Sequence, residues 1–83
     1  MEALEGSIGT VTLRMSQAEA VVLHEAIARA EFANDLGEIE LQPVEQKVFS
    51  AVQQTLAPLI AGLGTDGYQG TLDRAYTAID PKM

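Results

Sequence analysis

The side chains able to do chemistry are few and scattered. His24 is the single histidine, and Glu25 follows it. A metalloprotease helix needs a second histidine four residues on, where Ala28 stands. The chain has no cysteine. A structural or catalytic zinc site therefore has no ligand set, and no metal or other cofactor is expected. Ser7, Ser16 and Ser50 are present, but none sits in a Gly-x-Ser-x-Gly turn. Gly62, Gly64 and Gly67 match the spacing of a dinucleotide-binding loop. That loop needs a strand before it and a helix after it, so that pyrophosphate meets helix amides. Here a helical pattern precedes the glycines and Asp66 lies among them, so the reading is a plain inter-helix loop. A lone boundary histidine and dispersed serines point away from an enzyme.

The acids have more order. Residues 31–45 hold five acids, Glu31, Asp35, Glu38, Glu40 and Glu45, and no base. Residues 1–30 carry four acids against two bases, and residues 46–83 carry three of each. The net charge of −7 is thus concentrated in one stretch. The spacing is not that of a calcium-binding loop. The five acids read either as a solvated face that keeps the chain soluble or as the contact for another protein, one with a basic surface. Bulk acidity argues against direct nucleic-acid binding, which runs on Lys and Arg neutralising phosphates. It also argues against an anionic membrane surface.

The elements that carry these groups are legible in part. Eighty-three residues with 47% apolar side chains fit one small folded domain, residues 1–83. Over residues 8–15, Val11, Leu13 and Met15 alternate with Thr10, Thr12 and Arg14, which predicts a half-buried strand. Residues 1–7 offer little to bury and are expected to fray, as are residues 80–83. Ser16 and Glu19 form a capping-box pattern at the start of a helix over 17–33. Asn34, Asp35 and Gly37 supply its stop.

That helix has two apolar stripes. The broad one holds Ala20, Val22, Leu23, Ala26, Ile27, Ala30 and Ala33; the narrow one holds Val21, Ala28 and Phe32. Ile39 and Leu41 alternate with Glu38 and Glu40, which allows a short second strand over 38–42. Pro43 opens a second helix over 43–62, expected to kink at Pro58 and continue because Leu59 and Leu63 keep phase with Val52 and Leu56. Thr71 caps a last helix over 72–79, stopped by Pro81.

The expected class is α+β, mainly α. One or two short strands do not make a stable sheet alone. Either they pair with each other, or the first pairs with its copy in a second chain. With a surplus stripe on the first helix, this favours a homodimer, its seam at Val11, Leu13, Val21, Ala28 and Phe32. Acyl carrier proteins share this size, acidity and helical character, but their serine sits in an Asp-Ser-Leu context, and no Asp-Ser pair occurs here.

The start of the chain lacks the basic and apolar regions of a signal peptide, and no apolar run nears the ~20 residues of a membrane span. A cytoplasmic protein is expected. The functional expectation is a small acidic protein-interaction module, an adaptor or regulator, homodimeric and not an enzyme. The alternative is an inhibitor of a nucleic-acid-binding protein, such as an immunity protein, antitoxin or phage-type defence inhibitor, whose acids imitate phosphates.

Overall fold

Gly6, Ser7, Ile8 and Gly9 reverse the chain so that residues 2–5 can meet residues 11–14. Gly9 takes a φ of +82°, which a side chain would resist. The turn is locked by the Thr10 amide and hydroxyl, both donating to the Ser7 carbonyl. The result is an antiparallel hairpin of β1 (Glu2–Glu5) and β2 (Val11–Arg14), with Glu2 opposite Arg14 and Glu5 opposite Val11. Within residues 1–7, expected to fray, residues 2–5 are instead a paired strand. Backbone pairing orders a segment that has almost nothing to bury, and it also satisfies the first strand within its own chain. The strand itself is shorter than 8–15, because Ile8 and Gly9 belong to the turn.

The computed structural model describes residues 1–81. It is α+β and mainly α: the hairpin, then α1 (Gln17–Asp35), α2 (Pro43–Leu56), a 3-10 turn (Ala57–Leu59) and α3 (Tyr68–Ile79). The expected fraying at 80–83 lies partly outside the described residues.

The capping box at the start of α1 is complete. The Ser16 hydroxyl accepts from the Glu19 amide at 3.0 Å, and the Glu19 carboxylate accepts from the Ser16 amide at 2.8 Å. The Met1 ammonium adds a 3.1 Å ion pair to Glu19. These bonds hold the Glu19 carboxyl below its ordinary pKa, the backbone amide of Ser16 foremost. Ser16→Ala is expected to lower stability by about 1 kcal/mol; a urea titration followed by helical circular dichroism checks it.

At its other end α1 runs two residues beyond expectation. The Glu38 amide donates to the Ala33 carbonyl and the Gly37 amide to Asn34, with Gly37 at φ +77°. This is a Schellman motif. It uses the backbone of the acidic connection, and the expected strand over 38–42 is absent. Without a second extended segment beside it, that stretch has no ladder to join. Its amides go elsewhere, the Leu41 amide to the Asn34 side chain.

Pro58 ends α2 rather than kinking it. The α-helix stops at Leu56, a 3-10 turn carries the proline, and Ile60 is extended. Ile60 enters the core while Leu59 turns outward. The last helix starts at Tyr68, four residues ahead of expectation, because Tyr68 packs against the core and its hydroxyl donates to Glu25 of α1 at 2.8 Å.

Both α2 and α3 pack on α1. The core is Ala20, Val21, Leu56, Ile60, Leu72 and Ala75. The narrow stripe of α1 is therefore partly consumed inside the chain, and Val21, at 2% exposure, is its most buried side chain.

Candidate functional site

The acidic stretch gathers at one end of the helical body. Glu31 and Asp35 lie in the last turns of α1, Glu38 and Glu40 on the connection, and Glu45 in the first turn of α2. Glu31 is half-buried and the other four are exposed. Glu45 accepts from the Gln42 amide at 2.7 Å and so works as a helix cap. Its carboxylate serves the fold as well as the surface.

The connection is held, not loose. Besides the Schellman bonds, Asn34 accepts from the Leu41 amide and Gln46 donates to the Leu41 carbonyl. Sequence reasoning missed what this fixes in place. Phe32, Leu36 and Ile39 are exposed among the acids, Phe32 at 65%. Glu25, Ala28, Arg29, Phe32, Leu36 and Glu38 line a hollow of about 370 Å³ there. The signal lay in Leu36 and Ile39, apolar residues on either side of the stop glycine, once the strand that would have used Ile39 is set aside.

The five residues expected to form a homodimer seam do not stay together. Val21 is core, so it is not available to a second chain. Ala28 and Phe32 line the hollow at the acidic end. Val11 and Leu13 are on the hairpin and exposed.

His24 is half-buried, and its Nδ1 is shut off from solvent without a hydrogen-bond partner. His24→Leu removes that orphaned atom while keeping the volume. The expected change in stability is within about 1 kcal/mol, neutral or favourable; thermal melting of the two proteins compares them. Among the described residues, no group of three or more His, Asp and Glu side chains could hold a metal ion. The glycine loop is closed by its own hydrogen bonds: Thr65 donates through its amide and its hydroxyl to the Gly62 carbonyl, and the Gly67 amide donates to that hydroxyl.

No family model, curated protein or solved structure matches this chain. Among the described residues, no helix is long and apolar enough to cross a membrane.

Proposed function

We propose that this chain is a small non-enzymatic interaction module, homodimeric, whose acidic end receives a partner protein with a basic surface. The observation that carries the reading is the exposed trio Phe32, Leu36 and Ile39 set among Glu31, Asp35, Glu38 and Glu40. Acids alone keep a surface solvated. Apolar side chains held open among them by a pinned connection are a contact surface in waiting, with a hydrophobic centre and a charged rim. The rim steers and selects a basic partner; the centre supplies the contact that persists once charge is screened.

The test is capture from lysate at low and high salt by three proteins: the wild type, a variant with the four rim acids changed to Gln or Asn, and Phe32→Ser/Leu36→Ser. A specific partner lost by the serine variant and weakened by the neutralised one supports the reading. Equal capture by all three sinks it. Exposed charges are screened beyond roughly 8–10 Å at 0.10–0.15 M salt. A partner that binds nucleic acid, is held only at low salt and ignores Phe32 and Leu36 replaces this reading with phosphate mimicry.

A further inference from the structure

Both strands of the hairpin are exposed along their whole length. Alternation puts Val11 and Leu13 on one face of β2, Met15 follows the end of the strand, and Leu13 and Met15 look across a groove of about 470 Å³ at Val44, Val48 and Ala51 of α2. The groove is apolar and largely open: Val44 is 67% exposed, Val48 57% and Leu13 49%. On α2, Val44, Val48, Ala51, Val52 and Thr55 follow helical spacing, which is the pattern of a face made for burial. Of these, Val52 packs against the core and the rest are spare.

The whole molecule carries the same surplus. Its accessible surface is 6132 Å², where a compact monomer of 8.9 kDa exposes about 4,800 Å². Its radius of gyration is 14.2 Å against about 12 Å for a compact chain of this length. An isolated two-stranded hairpin is marginal in water. The excess, roughly 1,300 Å², is more than the ~800 Å² that each partner commits to a standard interface.

We infer that a second copy of this chain covers the groove, the α2 faces and hairpins of the two copies meeting about a two-fold axis. The inference rests on the homodimer in the proposed function and locates its seam. Charge allows it. Each copy carries −7, but among the described residues Lys47 is the one charged residue lining the groove. The groove lining therefore sets no acid against an acid, and Glu5, opposite Val11 on the same hairpin face, lies outside that lining. A two-fold contact needs only this one patch, presented twice.

Light scattering coupled to size exclusion at 10–100 µM reads the result, with helical circular dichroism as the folding control. The wild type should run at twice 8.9 kDa. Val48→Asp and Leu13→Asp each place a carboxylate on a side chain that is exposed in the single chain, so both should keep their helices. Each should raise the dimer dissociation constant by roughly 100-fold or more and run as a monomer. Phe32→Asp, at the other surface, should remain dimeric. Val44→Glu stands in for either groove variant that loses its helical signal. A monomeric wild type across this range overturns both the seam and the homodimer. A dimeric wild type whose groove variants also stay dimeric overturns the seam alone.

Discussion

Val21→Asp is expected to lower stability by about 4 kcal/mol or more, the largest effect of any single change named here. A chain of 83 residues has roughly 4–12 kcal/mol of stability in total, at 0.05–0.15 kcal/mol per residue. The variant should therefore be partly or wholly unfolded at 25 °C. Val21 is 2% exposed, in the same core as Leu72 and Ala75 of α3. A carboxylate there loses most of its water among the alkyl groups of the core. Phe32→Asp, eleven residues on in the same sequence stripe, should change stability little, because Phe32 is 65% exposed. Urea denaturation of the two variants separates the positions. Equal midpoints would mean that the narrow stripe of α1 faces outward along its whole length.

Tyr68 is expected to make the fold sensitive to alkali. Its phenol is pushed up to about 12 from an ordinary value near 10, first by burial and then by the hydrogen bond it donates to Glu25. The folded state thus prefers the protonated form more strongly than the unfolded state does. That preference stabilises the protein fully below pH 10. It is lost as pH rises from about 10 to about 12, and amounts to something on the order of 2 kcal/mol. Tyr68→Phe has no proton to lose. At neutral pH it should be less stable than wild type by about 1 kcal/mol, the worth of one hydrogen bond. Between pH 10 and 12 the gap should close and then reverse. Stability of both proteins measured across that interval tests it, and other titrating groups cancel in the comparison. A gap that stays constant to pH 12 would mean the phenol is not held against Glu25.

The acidic end was half legible. The run of five acids without a base stands in the sequence as written, and so does the stop at Gly37. What escaped was the role of the apolar residues between them. Ile39 alternates with Glu38 and Glu40 and so reads as a strand residue. A strand needs a neighbour, and the two extended segments of this fold pair with each other instead. Ile39 is left on the surface with Phe32 and Leu36. The hairpin escaped for the opposite reason. Residues 2–5 lack an apolar pattern, and their order comes from backbone bonds that no side-chain periodicity records.

The features that the sequence determined by itself are those made of bonds closing within a few residues. Ser16 and Glu19 start α1 by capping each other's amides, Gly37 ends it by accepting a positive φ, and Pro43 opens α2 by what a pyrrolidine ring permits. The partition of charge belongs with these, since it is composition alone. Tertiary structure decided which apolar residues became core and which stayed open. Val21 is buried because α3 returns to it from some fifty residues away; Tyr68 is helical because Glu25 and the core are waiting for it; Val44 and Val48 stand exposed because the hairpin is held off from α2. A helical stripe states that a face must be covered. Only the path of the distant chain states by what.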